Sequence, residues 1–323
     1  MIISEAVRSL SLYTFYNSST RLWRSVVCSL LCLIIVSSST VNAAKDVATI
    51  DLSQLEPIHI GAKLVGTMDR QHITESSGLV DSVLHDGVLW TLNDSGNSAT
   101  IYPVSLNGAL LSSSQSSGIK IDGAENFDWE SITSDKQGTL YIADTGQNID
   151  LARTQIIYQI KEPADIQATR RESVVREIAF NYEDQSGFFM SRNEFDVEAV
   201  FYSDHHIHLL TKGWGKSISK WYRLQQSEEF GNAARLLTRI NFGKALITGA
   251  EVDQSGLRLA VLAKRSIWLF TREALGQNWF SSDIKYLRTR DIGVTEGITF
   301  YGNRLYISNE SGQLYTIELK DLD

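Results

Sequence analysis

Apolar and polar positions alternate along most of this chain in runs of five to seven residues, broken by Gly, Asp, Asn and Ser. Alternation of period two, with Tyr and Trp in the apolar slots, is the signature of β-strands. The runs also recur. Phe127-Asp128-Trp129-Glu130-Ser131-Ile132 has counterparts in Glu75-Ser76-Ser77-Gly78-Leu79, Asp196-Val197-Glu198-Ala199-Val200, Ile247-Thr248-Gly249-Ala250 and Val294-Thr295-Glu296-Gly297-Ile298. In each, a polar residue (Ser77, Glu130, Glu198, Thr248, Glu296) precedes a small one and then an aliphatic one.

Each unit continues into a second strand, such as Leu89-Trp90-Thr91-Leu92-Asn93 or Leu140-Tyr141-Ile142-Ala143-Asp144. A third carries an aromatic, as in Ile157-Tyr158-Gln159-Ile160 or Ile267-Trp268-Leu269-Phe270. The unit at Leu259–Ala263 keeps the frame least well. Repeats of three or four strands predict an all-β fold, a β-propeller of five four-stranded blades, with six as the alternative. A two-sheet sandwich would leave the recurring small-aliphatic frame without a reason. Outer strands are expected near Gly118–Ile121, Val174–Asn181, Leu236–Phe242 and Lys285–Asp291. The apolar pattern from Leu55 to Met68 has no inner strand before it, so it is expected to close the last blade from the N-terminus and leave no free edge. Ala164–Glu172 and Thr271–Phe280 are irregular and suggest short surface helices, the second anchored by Trp279. Ser112–Ser117 is expected to be a loop.

The first 43 residues are of another kind. Arg21 and Arg24 precede an apolar run, Val26–Val36, then a Ser-rich stretch and Val41-Asn42-Ala43. That order predicts a signal peptide over 1–43, cleaved near Ala43 or Ala44, and a single propeller domain over 44–323. An uncleaved anchor is the alternative, although the run is shorter than the roughly 20 apolar residues of a membrane span. Export to the periplasm or beyond is therefore expected, with no membrane span after cleavage. Both cysteines, Cys28 and Cys32, lie in the leader, so the remainder has no thiol chemistry. The chain carries 30 basic and 38 acidic residues, and loss of the leader takes the formal charge from −8 to about −10. A surface this acidic argues against nucleic acid as a partner.

In a propeller blade the first strand starts where the second ends, so both points meet at one mouth of the channel. That gathers Asp128, Glu130, Asp196, Glu198 and Glu296 with Asn93, Asp94, Asp144, Lys212 and Lys264. Carboxylates so close cannot all stay ionised without a counter-charge. Calcium fits the oxygen-only donors, and the metal candidates are Glu130, Glu198, Glu296, Asp144, Asn93 and Asp94. Two plainer readings compete. Asp and Asn favour tight turns anyway, and Lys212 and Lys264 could pair with Glu198 and Glu296. His205, His206 and His208 resemble a metal cluster, but His205 falls in a turn and His208 in an aromatic core slot, so a core or rim role is preferred.

The set Glu-Ser-Ser-Gly-Leu, Asn-Asp-Ser-Gly, Asp-Trp-Glu-Ser-Ile, Asp-Thr-Gly-Gln-Asn, Glu162-Pro163 and Asp-Val-Glu-Ala resembles exported bacterial propellers, the SdiA-regulated five-bladed family among them. The likeness runs from Glu75 to Leu319 and implies fold and export rather than a reaction. A more distant similarity to calcium-holding lactonase and phytase-like propellers carries no catalytic residues across. Two function classes follow. One is an exported binding or scaffold module, expected as a monomer, whose mouth takes a small molecule, glycan or protein. The other is a metal-dependent hydrolase of an ester, lactone or phosphate. There, Glu130 or Glu198 would act as base, and Lys212 or Lys264 would face the developing anion.

Overall fold

The computed structural model describes residues 47–323 apart from 112–117, 148–152, 187–190, 216–217, 228–230, 291 and 323. The leader, with its cleavage site and both cysteines, and the Ser112–Ser117 stretch lie outside the described residues.

The chain enters as three short strands: β1 (Thr49–Asp51), β2 (Ile58–Ile60) and β3 (Lys63–Thr67). Four antiparallel strands then make the first blade: β4 (Ser76–Asp81), β5 (Val88–Asn93), β6 (Thr100–Ser105) and β7 (Ile119–Asp122). The second is β8 (Trp129–Ser134), β9 (Thr139–Asp144), β10 (Gln155–Lys161) and β11 (Arg171–Tyr182). The third is β12 (Val197–Ser203), β13 (His206–Thr211), β14 (Ile218–Gln225) and β15 (Asn232–Asn241). The fourth is β16 (Ile247–Val252), β17 (Arg258–Ala263), β18 (Ser266–Thr271) and β19 (Asp283–Thr289). The last is β20 (Thr295–Tyr301), β21 (Arg304–Asn309) and β22 (Gln313–Glu318), completed by β3. Each first strand packs against the first strand of the next set, and β20 packs against β4, so the innermost strands form a closed ring. This is an all-β propeller.

The entering segment does more than close the ring. β1 pairs in parallel with β15, and β2 with β19, before β3 pairs with β22. It thus covers three consecutive outer edges and leaves less exposed backbone to recruit other chains. Two expected helices are corrected: residues 164–170 form a turn, and of the Thr271–Phe280 span only its end enters a helical turn, the 3₁₀ turn Trp279–Ser281. Trp279 is its buried anchor, with Arg272 stacked 4.1 Å above its ring. The cores lie between blades. Trp90, Trp129 and Tyr158 pack between the first two, and Trp221, Trp268 and Phe270 between the third and fourth. Among the described residues no helix is long and apolar enough to cross a membrane.

The recurring polar-small frame has a structural meaning. In every innermost pair the register slips by one residue at the polar position: Ser77, Glu130, Glu198, Thr248 and Glu296 are each skipped by the partner strand. Each is a β-bulge, which bends the strand and re-aims a side chain. The following small residue then passes close to the next blade. A methyl on Gly78 would lie 2.9 Å from the Ile132 nitrogen, and one on Gly249 would lie 2.9 Å from the Glu296 carbonyl.

Candidate functional site at the channel mouth

The five bulges divide by chemistry. Ser77 and Thr248 spend their hydroxyls on the next blade, donating to the carbonyls of Trp129 at 2.9 Å and Thr295 at 2.8 Å. The three glutamates have no such reach back and line a cavity of about 450 Å³ at the mouth. Asp94, Asp196, Lys212, Trp214, Lys264 and Arg70 share that lining.

Carboxylates gather on one side of it. One oxygen each from Asp94, Asp128 and Glu130, and one each from Glu130, Asp196 and Glu198, form two groups with all atoms within 4.8 Å of one another. Glu130 belongs to both. It is 8% exposed, and no hydrogen bond or ion pair joins its carboxylate to any described residue.

Its neighbours are held in place. The backbone N–H of Gln147 and the indole N–H of Trp214 donate to the two oxygens of Asp196, at 2.8 and 2.5 Å. Gly146 opens the space between them: a methyl there would lie 2.4 Å from both Asp128 Oδ2 and Glu130 Oε1. Arg153 fixes this turn by donating to the Gly146 carbonyl at 2.7 Å and to Asp144 at 3.0 Å, while its guanidinium stacks over Phe127. Lys212 bonds Glu198 and lies 4.9 Å from the Trp214 ring centre.

Burial dominates the electrostatics. It raises Asp128 to about 7, with Asp94, Asp196 and Asp144 adding to the rise and Arg153 opposing it. Burial also lifts Glu130 well above the usual carboxylate range, reinforced by Glu198 and Asp94. Glu198 rises for the same first reason, even against the pull of Lys212. Glu296 stands at about 7, raised by burial and held back by Lys212 and Lys264. Burial pulls Lys212 down, but Glu198 and Asp196 outweigh it and the ammonium is held above its ordinary range. The mouth is thus a place where negative charge is costly unless something positive joins it.

The expected site residues fall into three groups. Glu130, Glu198 and Asp94 come together, joined by Asp128 and Asp196. Glu296 lines the same cavity with Lys212 and Lys264, yet stands outside both carboxylate groups. Lys264 makes no ion pair within 4.0 Å of a described carboxylate, so only the Lys212–Glu198 half of the expected lysine pairing forms. Asn93 and Asp144 stand behind the lining. Asn93 accepts from the Glu75 N–H at 3.2 Å and donates to the His72 carbonyl at 2.8 Å. Asp144 accepts from the Asp128 N–H at 3.0 Å. Both shape the loops that carry the acids.

Sequence reasoning missed Arg153 and Trp214, since neither belongs to the repeated frame, and it quoted Gly146 only within the Asp-Thr-Gly-Gln-Asn turn, without its spacing role. The histidines do not assemble a ligand set. His205 sits in a turn at φ 64°, and His206 hydrogen-bonds the Asp204 carbonyl. Buried His208 accepts from the Trp221 indole at 3.0 Å, and burial pushes it down to about 3.

Comparison with solved structures returns propeller-type proteins at low similarity. A nidogen–laminin complex aligns at 15% identity and TM-score 0.43, over 77% of this chain and 78% of that one. Kuenenia stuttgartiensis hydrazine synthase aligns at 12% identity and TM-score 0.44, over 80% of each chain. A luciferin-regenerating enzyme aligns at 11% identity and TM-score 0.42, over 81% of this chain and 95% of that one. The fold assignment therefore rests on the chain's own strand pairing. No protein-family model matches the chain, and no curated protein matches it.

Proposed function

We propose that this protein is an exported binding module whose channel mouth holds a divalent cation, calcium by the chemistry of its donors. The observation that carries the reading is Glu130: a nearly buried carboxylate with no hydrogen-bond or ion-pair partner among the described residues, shared by two overlapping groups of three acids. The candidate donors Asp94, Asp128, Glu130, Asp196 and Glu198 are all oxygens, and irregular sets of six to eight oxygens, some from water or ligand, suit calcium. A cation there would lower the cost of ionising groups that burial otherwise keeps protonated. Export is supported by the charge, apolar core and small-residue order of residues 1–43. The remaining cavity, with Trp214 and Lys264 on its wall, leaves room for a small polar ligand beside the ion.

Melting of the protein in chelator and in millimolar calcium tests the reading. An ion that binds only the folded state at about 100 times its dissociation constant contributes about 2.7 kcal/mol, a rise of roughly 5 °C or more in midpoint. Glu130→Gln should remove most of that rise, because it deletes a full charge while keeping the shape. Equal midpoints in calcium and chelator would leave the Lys212–Glu198 pair as the better account of this mouth.

A further inference from the structure

We propose a second site on the same face: an arginine-lined cleft beside the mouth that binds an oxyanion, phosphate or carboxylate, of a ligand. It stands independently of the cation. The cleft, of about 560 Å³, is lined by His59, Arg265, Arg288, Thr289, Arg290 and Ile292. The strand pattern builds it. Leu287 and Thr289 of β19 are buried, so alternation turns Arg288 and Arg290 to the open side. Parallel pairing sets His59 of β2 opposite Arg288, and antiparallel pairing sets Ser266 opposite it from β18. The Thr289 hydroxyl reaches the Arg265 carbonyl at 3.4 Å, which ties the turn bearing Arg265 to the end of β19.

Charge makes the cleft unusual. In a chain of formal charge −8, no Asp or Glu among the described residues lines it; Asp291, between Arg290 and Ile292 in sequence, lies outside the described residues. Arg265, Arg288 and Arg290 make no ion pair with a described carboxylate, a state they share with Arg176, Arg235 and Arg239, whereas Arg153, Arg171, Arg258, Arg272 and Arg304 do; what sets the first three apart is that they share one cleft. An adjoining cavity of about 450 Å³ shares Arg265 and Arg288, adds Lys244 and Lys264, and again has no described acid in its wall. Lys264 also lines the mouth, so a basic track runs from the cleft to the channel. Guanidinium groups are planar forks that match phosphate and carboxylate in bidentate fashion. Like charges gathered in a concave site raise the local concentration of an anion. The inferred occupant is therefore a molecule bearing an oxyanion, placed to extend into the mouth.

Titration calorimetry of the protein with sodium pyrophosphate and with citrate, in calcium-free, low-salt buffer, tests this. Saturable binding of either is expected. Pyrophosphate alone would indicate a phosphate-bearing ligand, and citrate alone a carboxylate-bearing one. Arg265→Gln or Arg288→Gln should weaken it about tenfold or more, the loss of a charge-assisted hydrogen bond. Arg304→Gln, which removes a surface arginine paired with Glu318, should leave it unchanged. Both cleft arginines are exposed, so their variants are expected to melt as the parent does. The proposal fails if neither anion saturates, or if Arg304→Gln weakens binding as much as Arg288→Gln. Omitting calcium separates this result from the cation reading.

Discussion

Gly146 is the residue on which the acidic half of the mouth depends for space. It is buried between two carboxylates, with Asp128 Oδ2 and Glu130 Oε1 each 2.4 Å from where its Cβ would stand. No rotamer change of one acid frees that volume, because the other occupies it too. Gly146→Ala should therefore cost about 1–3 kcal/mol by overpacking. It should also abolish the calcium-dependent rise in melting midpoint, since Glu130 and Asp128 can no longer approach together. A variant that melts lower but keeps the full calcium rise would place the ion away from this pair. The bulge residues show how one sequence position serves two ends. A hydroxyl there ties blades together, as at Ser77 and Thr248, while a carboxylate reaches the channel, as at Glu130 and Glu198.

At the scale of elements, β3 closes the ring and Gly66 is its tight point. Gly66 faces Leu314 in the pairing, and a methyl on it would fall 1.8 Å from the Asn107 carbonyl oxygen. That neighbour is backbone and cannot swing aside. Gly66→Ala should lower the melting midpoint by about 5 °C or more, through the closing strand. An unchanged midpoint would mean that closure contributes little to stability. Much of this organisation is legible in the sequence. The five frames around Ser77, Glu130, Glu198, Thr248 and Glu296 mark the innermost strands, and the span ending at Met68 marks the closing one. Their alternation is local, and so is the signal. The bulges are not legible, because a register slip depends on the partner strand. The side visits of β1 and β2 are missed for the same reason: three-residue strands carry no period. At the mouth, the glutamates follow from the repeat. Asp128 and Asp196 flank it, while Arg153 and Trp214 arrive from loops of unpatterned sequence.

The whole ring is also fastened at the end away from the mouth, by a contact that no single blade contains. Lys136, in the turn between β8 and β9, holds φ at 60°, a left-handed conformation unusual for a side-chain-bearing residue. Its ammonium crosses to Asp81 of the first blade at 2.6 Å and Glu251 of the fourth at 3.4 Å. The Thr299 hydroxyl of the last blade accepts from the Asp81 N–H at 3.0 Å. Glu251 is wholly buried, and burial raises it to about 7 even though Lys136 pulls the other way. Between about pH 4.5 and 7 the folded protein therefore keeps a proton on Glu251 that the unfolded chain has released. Stability from this group is fully present below that window and falls as pH rises through it, by about 3 kcal/mol in all. Glu251→Gln keeps the shape and cannot ionise. Melting in chelator across that pH range should thus show a shallower fall for Glu251→Gln than for the parent, the mouth carboxylates being common to both. Equal slopes, with the variant less stable at every pH, would mean that Lys136 keeps Glu251 ionised and that the contact is a permanent ion pair across the channel.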